Sequence, residues 1–352
     1  MGHAAIIGTG SFVPDNIMTN DDLSNLVETS DDWIRTRTGI CERRISAGMS
    51  TSDLAYEAGV RALKDAGLKP EEIDLIICAT ITPDFFMPSC ACMVQYRLEA
   101  VNAAAFDLAA ACTGMVYGIV TAEQYIRSGM YRNVLVIGTE VLSKVLDWED
   151  RSTCVLFGDG AGAVVLSRSD KGGVILASNL EADGSRYNLL TCPAVPLSNP
   201  YVNSGIKDNL GDDSDKILHV NAATGNPSIN QGKDTRSVIK MAGQEVFKFA
   251  VRSITENIDA VLKKAGLGRE DVRYIIPHQA NRRIFEQASK LSGISLDRFY
   301  MNLGRYGNTS AASIGIALDE LVKETGIKSG DILVLVGFGG GMTGGAVILK
   351  WI

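Results

Sequence analysis

At 352 residues, with 46% apolar and 21% charged side chains, the chain has room for two ordinary domains and the composition of a globular protein. Its net charge of −7 argues against a general nucleic-acid binder, which is normally basic. No apolar run approaches the ~18 residues needed to span a bilayer, and no basic segment followed by a long apolar one opens the chain, so neither a membrane nor a secretory route is expected.

In chain order, "GTGSF" (8–12) offers the start of a dinucleotide fingerprint, but Val13 stands where its third glycine belongs. "ALKDAGLKPEEIDLIIC" (62–78) reads as a helix end, a glycine stop, an acidic turn and a buried strand. The apolar run "VNAAAFDLA" (101–109) leads through small residues to Cys112, which is expected to open a helix carrying Met115, Ile119, Ala122 and Ile126. "RNVLVIG" (132–138) and "FGDGAGAVVL" (157–166) follow, the second entering a strand rather than a helix. The segment 191–237 is rich in Asn, Asp, Gly, Ser and Pro and reads as a surface insertion or as a lid or dimer arm.

Beyond the insertion the pattern repeats. "VLKKAGLGREDVRYIIP" (261–277) aligns without a gap on 62–78, "GDILVLVG" (330–337) on 132–138, and "FGGGMTGGAVIL" (338–349) on 157–166 with a two-residue gap. Three matches in the same order indicate duplication. The expected fold is therefore α/β: two halves, 1–175 and 176–352, with the insertion at 191–237 in the second and strands alternating with helices in each.

The repeat gives meaning to three reactive residues. Cys112 and Asn308 fall at equivalent strand-to-helix junctions; Gly304 and Gly307 turn the chain before Asn308, and Ala311, Ile314, Ala317 and Leu321 line the helix after it. His278 follows the strand "RYII" and Pro277. Strand ends are where open α/β folds place their sites. A cysteine at a helix start is expected to be biased toward thiolate by the helix dipole, with backbone N–H groups near the turn able to hold an oxyanion. "GFGGG" (337–341) can bring another main chain close to it. Seven cysteines (41, 78, 90, 92, 112, 154, 192) at irregular spacing form neither a disulfide framework nor a zinc site, since His3, His219 and His278 lie far from the C-x-C pair; a reducing cytoplasm is expected.

"DLAAACTGMVYGI", "IIPHQANRRI", "GRYGNTSAAS" and "GFGGGMTGG" together resemble the signature segments of ketoacyl-ACP synthase III in the thiolase superfamily, and the likeness runs nearly end to end. The resemblance implies a thiolase-like fold of two βαβαβαββ halves in five α-β-α-β-α layers, a homodimer, and ping-pong chemistry without a metal or bound cofactor. It implies that Cys112 takes an acyl group from acyl-CoA, with its own N–H and that of Gly340 as oxyanion hole. His278 and Asn308 would then hold the malonyl thioester oxygen of malonyl-ACP during loss of CO2. Trp33, Arg37, Arg151, Met241, Phe247, Ala280 and Asn281 match the family's CoA contacts. Lys248, Arg282, Arg283 and Lys290 would form a basic collar for acidic acyl carrier protein. Met87 would border the neighbouring subunit's acyl pocket.

Three features depart from the family pattern: Met87 replaces a bulkier aromatic, Gly344 a common tryptophan, and the insertion is long. All three read either as an enlarged or reshaped acyl site or, equally, as neutral drift. A thiolase would carry a second cysteine at Phe338, and an HMG-CoA synthase a glutamate near "CATITPD" (78–84); neither is present. A relative that passes acyl groups to another acceptor in specialised metabolism is the alternative.

Overall fold

The computed structural model describes residues 3–169, 171–194, 237–324 and 326–352. Its contacts separate one large unit, Met1–Thr191 with Lys240–Ile352, from a second, Cys192–Ile239, of which only 192–194 and 237–239 are described. Most of the expected 191–237 insertion thus lies outside the described residues.

Within the large unit nine strands run β1 (Ala4–Phe12), β2 (Leu75–Ala79), β3 (Ala104–Leu108), β4 (Asn133–Glu140), β5 (Gly160–Arg168), β6 (Gly173–Ala182), β7 (Val272–Pro277), β8 (Ile332–Gly339) and β9 (Thr343–Trp351). Their hydrogen-bonded order is β7-β8-β9-β6-β1-β5-β4-β2-β3. Each run therefore starts with a strand beside its own last strand. β2 pairs in parallel with β3 and β4, β7 in parallel with β8, and the closing pairs β4/β5 and β8/β9 are antiparallel. In the second run the third strand is reduced, among the described residues, to one parallel bridge between Phe299 and Ile275. The two runs join where Ala5 and Ile6 pair with Val174 and Gly173. The 175/176 boundary expected from the sequence falls inside β6, because that strand begins the second run at Gly173.

The repeated "AG" ends two helices in the same way. The helix α2 (Thr51–Ala66) stops at Gly67 with φ 67°, and α5 (Gly243–Ala265) at Gly266 with φ 68°, the left-handed turn that glycine adopts freely. At its start α2 is fixed by Ser50 and Asp53, which cap each other's backbone N–H groups.

Five layers follow from which face each strand residue buries. Leu135, Ile137, Ala163 and Val165 meet Leu54, Ala58 and Ala62 of α2 on one outer side. The alternate residues Val134, Val136, Val164 and Leu166 face inward, to Met115, Ile119, Ala122 and Ile126 of α4 (Gly114–Ser128) and Ile314, Ala317 and Leu321 of α7 (Ala312–Glu324). Leu333, Leu335, Val347 and Leu349 close that central layer from the other sheet run. On the far side Val334, Val336 and Ile348 pack on Ile254, Ile258 and Val261 of α5 and Phe285 of α6 (Arg282–Ser292). The fold is thiolase-like. Strands buried on both faces explain the unbroken apolar runs, each fully buried side chain contributing about 1.5–3 kcal/mol.

"GTGSF" proves to be part of β1. A Cβ at Gly8 or Gly10 would stand 2.5 or 2.3 Å from the backbone nitrogen of Ala66 or Ala62, so these glycines admit α2 to the sheet rather than a phosphate. The equivalent glycines Gly138 and Gly337 do something similar across the repeat. A Cβ on Gly138 would lie 2.1 Å from the Ala311 carbonyl oxygen, and one on Gly337 3.2 Å from Thr113 Cα. Each sheet run thus receives the start of a central helix from the opposite half.

Candidate active site

The Cys112 turn is set by β3, which ends at Leu108 and passes through three alanines. Ala111 adopts φ +44°, and Cys112 sits in a single 3-10 turn, Ala111–Thr113, that runs into α4 at Gly114. The α-helix proper therefore starts two residues after Cys112. Among the described residues Ala111, Ser310, Met342 and Glu99 are the non-glycine residues with positive φ, and the first three surround this turn or the segments against it. Such conformations cost about 1–3 kcal/mol each and gather at working sites.

Opposite the turn, β8 closes on it through its glycines. Gly339 is extended, and a Cβ there would lie 2.8 Å from Cys112 Cβ and 2.9 Å from Cys112 N. At Gly340 the nearest atom would be Ala111 Cβ at 3.4 Å, an ordinary contact. The glycine run brings a main chain against Cys112, as its sequence suggested.

The thiol itself differs from the expectation. Cys112 is buried, and burial pushes its pKa up to about 12, aided by the nearby Glu140 charge and opposed by the Ser310 hydroxyl against the thiol. In the resting protein the proton stays on sulfur. Desolvation outweighs the helix-start bias here because the site is closed from water.

His278 follows Pro277 at the end of β7, with its backbone N–H donating to the Val336 carbonyl at 2.8 Å. Its ring meets Phe338 edge-on at 5.0 Å. The fully enclosed imidazole has its pKa lowered to about 3 by desolvation, so it is neutral. Nδ1 lies 2.7 Å from Ser313 Oγ, and the Gln279 N–H donates to that same oxygen at 3.3 Å. While accepting from Gln279, the Ser313 hydroxyl can still donate its O–H to Nδ1, and in that arrangement Nε2 carries the imidazole proton and is a donor.

Asn308 lies four residues before α7, rather than opening it. Its backbone bridges Phe157: its N–H donates to the Leu156 carbonyl at 2.8 Å, and its carbonyl accepts from the Gly158 N–H at 3.0 Å. Oδ1 accepts from the Ser310 N–H at 2.9 Å. No hydrogen bond within the described residues engages Nδ2, which leaves the amide N–H₂ as the working end. The segment 308–313 is the organiser, because Asn308, Ser310 against Cys112 and Ser313 against His278 all lie on it.

Sequence reasoning missed the supporting residues. Gln279 donates to the Pro277 and Tyr300 carbonyls and accepts from the Asn302 and Leu303 N–H groups, tying the His278 strand to the chain that leads to Asn308. Ser310 and Ser313 stood in the quoted "GNTSAAS" without a role. Glu140 carried a readable signal: it is the one charged residue of a wholly buried strand with an apolar centre, Val134–Ile137.

The expected CoA residues fall into two places. Trp33, on α1 (Asp31–Thr38), has the Arg37 and Arg151 guanidiniums 4.6 and 4.7 Å from its ring, and Arg151 also donates to the Glu28 carbonyl at 2.7 Å. A planar base stacking on Trp33 has those cations at hand. Trp33, Phe247 and Ala280 all lean on the outer core shared by α5 and α6. Asn281 caps α6 by accepting from the Arg283 N–H, and Met241 pairs with Leu190 in a two-residue ladder.

Of the basic collar, Lys248 pairs with Glu245 at 2.8 Å and Arg282 with Glu286 at 3.0 Å. Arg283 and Lys290 are exposed and make no ion pair among the described residues. Between α5 and α6 lies a groove of about 590 Å³ lined by Phe247, Lys248, Arg252 and Leu291, among others. Met87 is 86% exposed and so lies outside the buried site of its own chain. Gly344 opens no extra space: a Cβ there would sit 2.2 Å from Ser253 Oγ and 2.5 Å from Glu181 Oε1, and Glu181 accepts hydrogen bonds from Ser253 and Asn257. The space beside Gly344 is thus occupied by this carboxylate network.

No group of three or more metal-ligating side chains is found among the described residues, and no described helix is long and apolar enough to cross a membrane.

Comparison with known proteins is consistent over the whole length. Residues 106–184 match the family model described as 3-oxoacyl-[acyl-carrier-protein (ACP)] synthase III, and 262–351 its C-terminal counterpart. The beta-ketoacyl-[acyl-carrier-protein] synthase III of Clostridium acetobutylicum is 50% identical, the alignment covering 100% of this chain and 99% of that protein. The crystal structure of 3-oxoacyl-[acyl-carrier-protein] synthase III from Aquifex aeolicus superposes with a TM-score of 0.85 at 45% identity, covering 99% of this chain and 100% of that one. The priming beta-ketosynthase of the R1128 polyketide pathway gives 0.84 at 31% identity, covering 99% and 96%.

Proposed function

The chain belongs to the beta-ketoacyl-[acyl-carrier-protein] synthase III family, and we propose that Cys112, His278 and Asn308 are the residues through which it condenses an acyl-CoA primer with malonyl-ACP to start fatty-acid synthesis. The observation that carries this assignment is a pair of nitrogens, His278 Nε2 and Asn308 Nδ2, that no hydrogen bond among the described residues engages, held on the segments that enclose the Cys112 turn.

Cys112 attacks the acyl thioester, and the negative charge on the tetrahedral oxygen falls to main-chain N–H groups of Cys112 and Gly340. CoA leaves, and malonyl-ACP takes its place. Its thioester carbonyl accepts from His278 and Asn308 while the carboxylate departs as CO2. A neutral imidazole suits this task, since it donates without being consumed as an acid. The enolate attacks the acyl-Cys112 carbonyl and releases 3-oxoacyl-ACP. Every step uses side chains and backbone, so no metal or bound cofactor enters. Transfer to a different acceptor, the specialised alternative, is not favoured, since it gives the paired donors no carbanion to stabilise.

Acyl-CoA is taken to stack its adenine on Trp33 between arginines and to thread pantetheine past Met241, Phe247, Ala280 and Asn281. Arg283 and Lys290, which make no ion pair among the described residues, are the foremost docking residues for acyl carrier protein, joined by Arg282 on the same helix and by Lys248 in the α5–α6 groove. A homodimer is supported by Phe86 and Met87, 81% and 86% exposed, together with Tyr96 and Val101. Tyr96 lies on the helix α3 (Cys90–Leu98) and the other three flank it, and β3 beyond them pairs on one side only.

Incubation with a panel of acyl-CoAs should add one acyl mass to Cys112, and Cys112→Ser should abolish it. Subsequent malonyl-ACP should release CO2. Protein that loads an acyl group but never decarboxylates malonyl-ACP would refute the condensing role.

A further inference from the structure

We propose that Thr113 and Thr343 are positioning residues that lock the Gly340 turn onto the Cys112 turn, and so set the gap between the two main-chain N–H groups that receive the thioester oxygen. The lock rests on the condensing role above, and names the side chains that hold its oxyanion hole together.

That hole takes its donors from two distant parts of the chain. The Cys112 N–H belongs to the 3-10 turn Ala111–Thr113, and the Gly340 N–H to a second one, Gly340–Met342. Neither turn keeps its shape by local preference. Ala111 has φ +44° in the first and Met342 φ +47° in the second. A left-handed alanine or methionine persists only where its surroundings hold it.

Two hydroxyls provide the hold. Thr113 follows the nucleophile and is 0% exposed, and Thr343 opens β9 directly after the second turn. Their Oγ1 atoms are 2.8 Å apart, and Thr113 Oγ1 also lies 3.2 Å from the Thr343 carbonyl oxygen. Thr343 Oγ1 lies 3.1 Å from the Gly340 carbonyl oxygen and 3.4 Å from that of Ala110. One placement of the two protons links every part: Thr113 donates to Thr343, and Thr343 donates to the Gly340 carbonyl. The opposite direction still joins the turns, with Thr343 donating to Thr113 and Thr113 to the Thr343 carbonyl. Among the described residues, the hydrogen bonds between the two turns all run through this pair.

Packing does not replace it. The contact of Gly339 with Cys112 limits how closely the segments approach, but nothing in that contact keeps them from parting. The second turn is also tied elsewhere, by the Asp183 N–H donating to the Met342 carbonyl at 3.0 Å. Without the threonines it would follow residue 183 and not Cys112. Cys112 itself lies between the two points gripped on its own turn, the Ala110 carbonyl and the Thr113 side chain.

The consequence is selective. During acyl loading the negative charge develops on the oxygen held by the Cys112 and Gly340 N–H groups. During loss of CO2 it develops on the malonyl thioester oxygen held by His278 and Asn308. The lock therefore serves the first step and not the second.

The test uses Thr343→Val, which keeps the branched shape at a strand start and removes only the hydroxyl. Loading is followed by quenched-flow intact mass over a range of acyl-CoA concentrations, and CO2 release is timed as labelled gas on enzyme already fully acylated. The maximal loading rate should fall about tenfold at an unchanged half-saturating acyl-CoA concentration, short of the hundredfold or more that loss of an oxyanion donor costs. CO2 release should stay within about twofold, because its charge falls to other donors. Thr343→Ser should restore loading. Thr113→Val should also slow loading, and decides the matter if Thr343→Val does not fold. The double valine variant should lose less than the product of the single losses, since the two residues share a bond. Valine variants that load at the wild-type rate, or that lose both half-reactions equally, would overturn the lock alone. Wild-type protein that never loads from acyl-CoA would overturn the condensing role and the lock with it.

Discussion

Ser313 Oγ lies 2.7 Å from His278 Nδ1, and an O–H donated there leaves the imidazole proton on Nε2. The same oxygen accepts from the Gln279 N–H, which holds the hydroxyl behind the ring. Ser313→Ala should release both tautomers and lower the rate of CO2 release from malonyl-ACP about tenfold, the worth of one buried hydrogen bond of ~1.5 kcal/mol. Acyl loading should change less. Equal losses in both half-reactions would assign Ser313 to packing.

His278→Ala and Asn308→Ala separate the two half-reactions more sharply. Each donor to a developing oxyanion is worth about 3–4 kcal/mol, or two to three orders of magnitude in rate. Loading depends on backbone N–H groups, so both variants should still form acyl-enzyme. Neither should release appreciable CO2 from malonyl-ACP, measured as labelled gas.

The glycine run makes a graded prediction. A methyl at residue 339 would meet Cys112 backbone at 2.9 Å, whereas one at 340 meets Ala111 Cβ at 3.4 Å. Gly339→Ala must displace the nucleophile's own main chain, at a cost of about 1–3 kcal/mol, and should lower both the melting temperature and the loading rate. Gly340→Ala should be milder on both. The reverse order would mean that the 339 backbone yields more readily than its contacts imply.

Two buried groups give opposite pH dependence of stability. The folded pKa of His278 is lowered from 6.5 to about 3, so its contribution is present above pH 6.5 and is lost as pH falls toward 3. Glu140 is raised from 4.5 to about 7, so its contribution is present below pH 4.5 and is lost as pH rises through 7. Between pH 7 and 5 the two nearly cancel, each being worth about 2 kcal/mol. Denaturant titration at both pH values should therefore show His278→Asn gaining stability on acidification relative to wild type. Glu140→Gln should lose it. Parallel curves for the two variants would contradict these protonation states.

Much of this molecule was legible because its signals are local and occur twice. "KDAGL" and "KKAGL" specify a helix end through a glycine turn that needs no distant partner, and the apolar positions 115, 119, 122 and 126 define a helix face by spacing alone. Duplication then set Cys112 and Asn308 at matching junctions, and a strand end supplied His278. What those residues are chemically was settled elsewhere. The partner that orients His278 lies 35 positions away, and the carboxylate beneath Ser310 lies 170 positions away. Gly344 and "GTGSF" show the same limit from the side of packing. The first proved lined by Glu181 and Ser253, and the second a seat for a helix. A local sequence fixes periodicity, turns and the identity of reactive groups, because these depend on neighbours within a few residues. Protonation, tautomer and free volume depend on how much water is excluded and by which distant atoms, and only the assembled layers decide that.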